Sequence, residues 1–140
     1  MGAGNNSGWQ IQKSNIKMQN DSAKFKNDFK ERLYRFVLRL LKFISTLPRN
    51  AIAIVIIDQL IRSGTSILSN FIEARASSSR KEFTNYFQIC LKSANESKVW
   101  LALLRDTNNG DKKEVNSLLG ELDEISEIFA SSILNLKGKK

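Results

Sequence analysis

Apolar residues in this chain recur at intervals of three and four along most of its length, and this spacing admits few folds other than packed helices. The first apolar segment contains Phe25, Phe29, Leu33, Phe36, Val37, Leu40, Phe43, Ile44 and Leu47. Residues at these intervals share one face of an α-helix. The period of two that marks a half-buried strand does not compete with this pattern. The chain is therefore predicted to be all-α.

Local signals predict the limits of the first two helices. Pro48 follows the first apolar segment, and a proline cannot continue a helix because it lacks the backbone N–H. The second helix is predicted from about residue 50 to residue 76. It opens with the apolar run Ala-Ile-Ala-Ile-Val-Ile-Ile at 51–57 and ends before a serine-rich turn.

A capping box predicts the start of the third helix near Arg80. Ser79 and Glu82 have the spacing at which each side chain satisfies the free backbone N–H of the other. Thr-Asn-Asn-Gly at 107–110 closes the helix, because Asn and Gly accept left-handed backbone. The predicted inward positions are Phe83, Phe87, Cys90, Ala94, Ser97, Leu101 and Leu104.

The fourth helix is predicted to follow a second cap, formed by Asp111 and Glu114. Its inward residues alternate at intervals of three and four, the heptad pattern of helices that pack side by side. They are Val115, Leu118, Leu122, Ile125, Phe129, Ser132 and Leu136. Gly138 stands where the helix is expected to stop.

Four helices of about 22 to 28 residues with short connections predict an up-down-up-down antiparallel four-helix bundle. A chain of 140 residues is long enough for one such domain. Residues 1–22 are rich in Gly, Asn and Ser and are expected to form a disordered leader, either native or added. The bundle is predicted over 23–137, and a short basic tail over 138–140.

Residue types exclude the common catalytic and metal sites. The chain has no histidine and one cysteine, Cys90, which alone forms neither an internal disulfide nor an ordinary metal site. Ser63, in Ser-Gly-Thr-Ser, lacks the base that a serine nucleophile needs, and the Walker-type phosphate loop is absent. We therefore predict a protein that is not an enzyme, with no catalytic residues, metal or cofactor.

Small residues in the second helix predict a close helix contact instead. Ser63, Gly64, Ser66, Ser69 and Ala74 allow a neighbouring backbone to approach. Glycine costs about 1 kcal/mol relative to alanine inside a helix, so tight packing, within the chain or at a subunit contact, is expected to offset that cost at Gly64.

Polar residues on the second and third helices suggest a structural network. If the two helices pack antiparallel about residue 77, positions whose numbers sum to about 155 lie level, which places Arg62 near Glu96. The predicted set comprises Gln59, Arg62, Asn70, Glu73 and Glu96. The alternative is that these are solvated surface charges, which contribute little to stability.

Positive charge is concentrated near the first helix. The chain carries 22 basic and 14 acidic residues, a formal net charge of +8. The candidate nucleic-acid contacts are Lys24, Lys26, Lys30, Arg32, Arg35, Arg39, Lys42 and Arg49. Such contacts would reach phosphates and carry little sequence information. The alternative is that Arg35 and Arg39 pair with the acidic fourth helix of the same or a neighbouring subunit.

Neither a secretory signal nor a membrane span is expected. The N-terminal residues contain no apolar core, and the run at 51–57 is far shorter than the roughly 20 residues that cross a bilayer. We therefore expect a cytoplasmic protein without a membrane partner.

The segment Gln-Leu-Ile-Arg-Ser-Gly-Thr-Ser at 59–66 and its continuation to residue 101 resemble the 23S rRNA intervening-sequence proteins, a family of four-helix bundles. The matching positions are Gln59, Leu60, Arg62, Ser63, Ser66, Ile67, Asn70, Glu73, Ala74, Phe83, Glu96, Trp100 and Leu101. Leu68, Phe71 and Val99 depart from the family pattern. The resemblance covers about residues 25 to 136.

This resemblance implies a homo-oligomer, a pentamer, and implies no known reaction. The family is more distantly similar to the accessory variability determinant of diversity-generating retroelements, which binds nucleic acid and works with a reverse transcriptase. The predicted function is a non-enzymatic basic bundle that binds RNA or DNA through phosphate contacts, as an accessory factor. The alternative is a protein-interaction scaffold, with a reverse transcriptase or another protein as partner and no nucleic-acid role.

Overall fold

The computed structural model describes residues 24–25 and 27–138. The predicted leader at 1–22, Lys26 and the last two residues of the predicted tail lie outside these ranges. The chain divides into two compact units, Met1–Arg32 and Leu33–Lys140. All that follows on helix packing concerns the second unit.

Helices make up nearly all of the described chain, and no strand occurs within it. Helix α1 covers residues 24–25 and 27–44, and the division between the units falls within it. The other three are α2 (Ala51–Ala76), α3 (Arg80–Asp106) and α4 (Lys112–Gly138). The prediction of an all-α chain with four helices is confirmed.

Side-chain caps start α2 and α3. The Asn50 side chain accepts hydrogen bonds from the backbone N–H groups of Ile52 and Ala53, which have no partner inside the helix. Ser79 caps α3 by accepting from the N–H of Glu82 at 3.1 Å, as predicted. The returning bond differs from the predicted capping box, because the Glu82 carboxylate accepts from the N–H of Ser78.

The turn between α3 and α4 is the predicted Thr-Asn-Asn-Gly segment. Asn108 takes left-handed backbone, with φ at 59°. Asn109 is buried, and its side-chain oxygen accepts a 2.6 Å hydrogen bond from Asn50. This bond joins the loop before α2 to the loop before α4. The Asp111 carboxylate then accepts from the N–H of Glu114 at 2.9 Å, which confirms the predicted cap of α4.

Hydrogen bonds between serines set the register of α2 against α3. Ser97 donates to Ser63 at 2.8 Å, and Ser93 donates to Ser66 at 2.9 Å. Residue numbers rise along one helix as they fall along the other, so the two helices are antiparallel.

Polar contacts likewise pair α3 with α4. Lys98 lies 3.1 Å from Asp123, and Arg105 donates to Asn116 at 2.8 Å. This pair of helices is also antiparallel, because the higher-numbered residue of α3 contacts the lower-numbered residue of α4.

Helix α1 contacts both α2 and α4. The Leu40 side chain lies against Gly64, and Arg39 bonds to Glu114. The helices of the Leu33–Lys140 unit therefore follow the order α1, α2, α3, α4 around the core, and the α1–α2 side lies opposite the α3–α4 side.

Large apolar residues from all four helices fill the core. An aromatic cluster lies between α2, α3 and α4, where the Phe87 and Phe129 ring centroids are 5.1 Å apart and meet edge to face. The other side chains that are almost wholly buried are Leu33, Leu40, Leu60, Ile67, Leu101, Leu104, Leu118, Leu122, Ile125, Val115 and Cys90.

Four predicted inward positions are wrong, and one of them, Phe83 on α3, is only partly buried. Phe25 is exposed and stacks on Phe29 within its own unit. On α4, Ser132 and Leu136 are only partly buried, and Ile133 is buried instead. A straight helix has 3.6 residues per turn rather than the 3.5 of a heptad, so a strict heptad pattern drifts around it and the core position moves one residue along.

Helix α2 is apolar and long enough to cross a membrane, by length and composition only. Its most apolar 18-residue window has a mean hydropathy of 1.6, and 39% of that window is buried. The core helix of a bundle passes the same test, and the contacts of α2 with α1 and α3 give it that role here.

Candidate nucleic-acid interface

Basic side chains line the outer side of α1 in the Leu33–Lys140 unit. Arg35, Arg39 and Lys42 are separated by four and three residues, so they share a helix face away from the apolar core. Arg49 follows in the loop after Pro48 and is exposed. Residues 33–50 contain no acidic residue, so this segment carries four positive charges.

One of these arginines, Arg39, forms side-chain bonds within the bundle. Arg39 bonds through its Nε to the Glu114 carboxylate at 3.0 Å and through Nη2 to the Ser117 hydroxyl at 2.6 Å. The predicted alternative, a pairing with the acidic fourth helix, is therefore confirmed for Arg39 within one chain. Lys42 and Arg49 are exposed and are better placed to meet a ligand.

The remaining predicted contacts belong to the Met1–Arg32 unit. Lys24 and Lys30 are exposed, and Arg32 is half-buried and interacts with another residue. Lys26 lies outside the described residues. The predicted basic set is thus divided between two units, and only the part after residue 32 is placed on the bundle.

Acidic residues are concentrated on α4, beside the basic helix. Asp123, Glu124 and Glu127 are exposed, and Asp123 forms an ion pair with Lys98 of α3. The surface of the bundle therefore carries charges of opposite sign on α1 and α4. A polyanion is attracted to the first and repelled by the second.

The predicted pairing of Arg62 with Glu96 is wrong. Arg62 instead forms an ion pair with Asp58, one turn earlier on α2, at 3.2 Å. The hydrogen bonds between α2 and α3 join residues whose numbers sum to 157, 159 and 160, so Arg62 and Glu96, which sum to 158, do lie level. The two residues do not pair because both side chains are exposed, while the neighbouring Ser63 and Ser97 face each other between the helices.

The other predicted polar residues do not converge on one site. Asn70 donates to the backbone oxygen and the hydroxyl of Ser66, within its own helix. Gln59, Glu73 and Glu96 are exposed. The part of the chain that the structure describes therefore holds no single network of these five residues.

A row of serines forms the polar network that the sequence reading missed. The Ser97 hydroxyl lies 2.8 Å from the Ser63 hydroxyl and 2.9 Å from the backbone oxygen of Ser93, and the Ser93 hydroxyl bonds to that of Ser66 at 2.9 Å. Ser63, Ser93 and Ser97 are buried. Small residues at helical spacing on both helices could have indicated these serine hydrogen bonds. The sequence pattern predicts only a close approach of the helices.

Gly64 makes the predicted close contact, although with a side chain rather than a backbone. A Cβ atom at Gly64 would overlap Cδ2 of Leu40, which is completely buried. A larger residue at this position would therefore force the Leu40 side chain to shift in the contact of α1 with α2.

The aromatic residues of α3 offer little surface for stacking on nucleic-acid bases. Tyr86 and Trp100 are both partly buried on α3. The indole nitrogen of Trp100 is buried and has no hydrogen-bond partner among the described residues. The exposed aromatic side chain of this unit is Tyr34 of α1, at 51% of its surface, so recognition by α3 would not depend on stacking.

Chemically reactive groups are not assembled on the described surface. The Cys90 thiol is buried and lies 3.4 Å from the backbone oxygen of Ile67, and burial raises its pKa to about 12. Among the described residues, no three His, Cys, Asp or Glu side chains are placed to hold a metal ion. An open groove of about 690 Å³ between α3 and α4 includes Lys92, Glu96 and Val99 in its lining.

Comparisons with known proteins agree with this architecture. Residues 26–131 match the family model described as 23S rRNA-intervening sequence protein. The fold is similar to the crystal structure of a protein of unknown function from the S23 ribosomal protein family of Bacteroides thetaiotaomicron. The two share 33% identity over 77% of this chain and 96% of the other, with a TM-score of 0.71. Among proteins with curated functions, none matches this chain.

Proposed function

We propose, from the premise that this chain belongs to the 23S rRNA-intervening sequence protein family, that it is a non-enzymatic bundle that binds RNA or DNA. The observation that carries the proposal is the basic segment 33–50, which contains no acid and in which Arg35, Lys42 and Arg49 remain besides the Arg39 that pairs with Glu114. Lys42 and Arg49 supply its exposed phosphate contacts, with Arg35 on the same face.

Phosphate contacts of this kind give affinity without base readout. Each lysine or arginine that neutralises a phosphate releases a condensed counterion, so binding weakens steeply as salt is added. The half-buried aromatic residues of α3 add little stacking. The expected ligand is therefore recognised by its backbone and shape, and the protein acts as a cytoplasmic accessory factor without a cofactor or a membrane partner.

The proposal includes assembly into an up-down-up-down bundle that forms a homo-oligomer, a pentamer by family resemblance. Each chain carries a formal charge of +8, so a pentamer would carry +40. Repetition of weak phosphate contacts around one assembly raises the overall affinity, because every contact after the first is intramolecular.

A salt titration with a matched charge reversal tests the nucleic-acid role. We would measure binding of labelled single-stranded RNA and duplex DNA at several salt concentrations for the wild type and for Lys42→Glu/Arg49→Glu. The control is Lys112→Glu/Lys113→Glu, an equal charge change at exposed positions at the start of α4. If α1 binds phosphates, the first variant loses affinity and about two units of salt slope, roughly one per lost contact.

The control variant separates a local interface from a general effect of net charge. Equal losses in both variants would show that only net charge matters and would refute the assignment to α1. Absence of binding by the intact wild-type oligomer at low salt would refute the nucleic-acid role itself.

The second candidate function, a protein-interaction scaffold, is favoured by one observation. Thirteen large apolar residues of the described chain are exposed, and most of them lie on α1 and α2. Such a surface suits a protein partner, and the family resemblance suggests a reverse transcriptase as one possibility. This function would hold if the intact oligomer bound no nucleic acid at low salt.

A further inference from the structure

Helix α1 carries an apolar stripe on one flank as well as an apolar core face. Tyr34, Leu38 and Leu41 are spaced by four and three residues, so they lie in a row along the helix. Each exposes 38 to 51% of its surface. The outer side of an amphipathic helix ordinarily carries polar or charged side chains, so this row requires an explanation.

A matching stripe runs along α2. Ile54, Ile61 and Ile72 are separated by about two and three helical turns, so they share one side, and they expose 37 to 50% of their surfaces. Ile61 lies one turn before Gly64, which packs against Leu40 of α1. These isoleucines are therefore exposed on the side of α2 that lies next to α1.

The two stripes form one surface, which we call the α1–α2 face: Tyr34, Leu38, Leu41, Ile54, Ile61 and Ile72. Half-exposed side chains of this size leave on the order of 300 Å² of apolar area open, which is comparable to the largest patch on a typical monomer. Interfaces also carry a polar rim. With that rim, this surface would cover half or more of the area that each partner buries in a stable complex, which is about 800 Å².

The opposite side of the bundle offers a second apolar surface. The groove between α3 and α4 has Leu91, Val99 and Ile133 among its lining residues. Val99 exposes 53% of its surface, and Leu134, next to Ile133, exposes 71%. We call this the α3–α4 face. Lys92, Glu96 and Lys137 give its groove a charged rim.

Charge favours contact between these two different faces. Residues 33–50 of α1 and its loop carry four positive charges and no acid, whereas α4 carries exposed acidic residues, among them Glu124 and Glu127. Two copies that meet through their α1–α2 faces would bring two basic helices together. A copy whose α1–α2 face meets the α3–α4 face of the next can place α1 against the acidic α4.

We propose that the α1–α2 face of one copy docks on the α3–α4 face of a second copy of this chain. Because the two faces are different and lie on opposite sides, the contact is head-to-tail and closes into a ring when the rotation between copies allows it. This inference rests on the homo-oligomer in the proposed function and adds which surfaces join and in what sense.

Two isoleucines at similar exposure provide a matched test. Ile72, on the α1–α2 face, exposes 44% of its surface, and Ile89 exposes 42%. Ile89 lies one turn before Ser93, on the side of α3 toward α2, and does not line the groove. We expect Ile72→Glu to weaken assembly on the order of 100-fold, because a carboxylate would enter an apolar contact, and Ile89→Glu to leave it unchanged.

A mixing experiment tests the head-to-tail geometry. Val99→Glu should also prevent assembly by blocking the α3–α4 face. Each variant keeps the face that the other has lost, so an equimolar mixture of Ile72→Glu and Val99→Glu should form a 1:1 dimer that cannot extend. Light scattering after gel filtration of the full chain, without nucleic acid, measures the mass, and circular dichroism confirms that each variant is folded.

Each outcome decides a separate point. A mixture that stays monomeric, or a wild-type assembly that Ile72→Glu does not weaken, would overturn the assignment of the faces while the homo-oligomer itself stands. A monomeric wild type would overturn both the faces and the homo-oligomer. The salt titration with RNA and DNA is a separate measurement on the wild-type assembly, and it tests the nucleic-acid role rather than the faces that join.

Discussion

Substituting alanine for Gly64 should destabilise the protein, although alanine is the better helix former. Alanine gains about 1 kcal/mol over glycine inside a helix. Here the added Cβ would overlap Cδ2 of Leu40, whose side chain is completely buried and would have to shift within the core. Overpacking of a tight core costs up to about 3 kcal/mol. We expect a net loss of about 2 kcal/mol.

The sign of this effect should reverse when Leu40 is truncated. Leu40→Ala alone should cost about 3 kcal/mol, because it leaves a cavity at a wholly buried site. In that background the Cβ of Gly64→Ala has room, so the helix propensity of alanine should stabilise the protein by about 1 kcal/mol. The coupling between the two sites is then about 3 kcal/mol, at the upper end for residues in contact.

Gly120→Ala is the control for helix propensity alone. Gly120 lies on the exposed side of α4, and a Cβ there would meet nothing within 4 Å. We expect this variant to be more stable by about 1 kcal/mol. Denaturant unfolding of the four variants and the wild type, at one protein concentration because assembly adds to stability, measures these differences. If Gly64→Ala stabilised the wild type as Gly120→Ala does, the close contact with Leu40 would be refuted.

Two further predictions concern Cys90 and Arg62. Burial raises the pKa of the Cys90 thiol to about 12, from an ordinary value of 9.0. The folded protein therefore favours the neutral thiol. The stability that this form contributes should be complete below pH 9 and lost between pH 9 and 12. Cys90→Ala should lose less stability over that range, and a thiol reagent at pH 8 should label the wild type only after unfolding. For Arg62→Ala and Glu96→Ala, the changes in unfolding free energy should add, since Arg62 pairs with Asp58. A coupling above about 0.5 kcal/mol would contradict that.

The helices and their caps could be predicted because they depend on neighbours in sequence. Ser79 and Asp111 accept hydrogen bonds from N–H groups three residues later, and this spacing can be read directly from the chain. The inward positions of α3 were nearly all correct for the same reason. The error on α4, where Ile133 replaced Ser132, came from applying a 3.5-residue period to a straight helix.

The candidate site was predicted less well, because charged side chains form ion pairs with residues on other helices. The sequence indicated a basic α1, and Lys42 and Arg49 are exposed on it. It allowed a pairing of Arg39 with the acidic fourth helix as an alternative, but it could not identify Glu114 as the partner. The choice depends on which face of α4 turns toward α1, and that is fixed by the packing of the whole core.

By itself, the amino-acid sequence determined the fold class, the number of helices and the opposite charges of α1 and α4. Helix period, capping and composition act within a few residues and need no knowledge of neighbouring helices. The tertiary structure alone decided which side chains face each other, and so joined Ser63 to Ser97, whereas Arg62 and Glu96 at the same level point to solvent. It also left the isoleucines of α2 exposed beside α1. These outcomes depend on how side chains lean and pack between helices, where a shift of one turn replaces every partner.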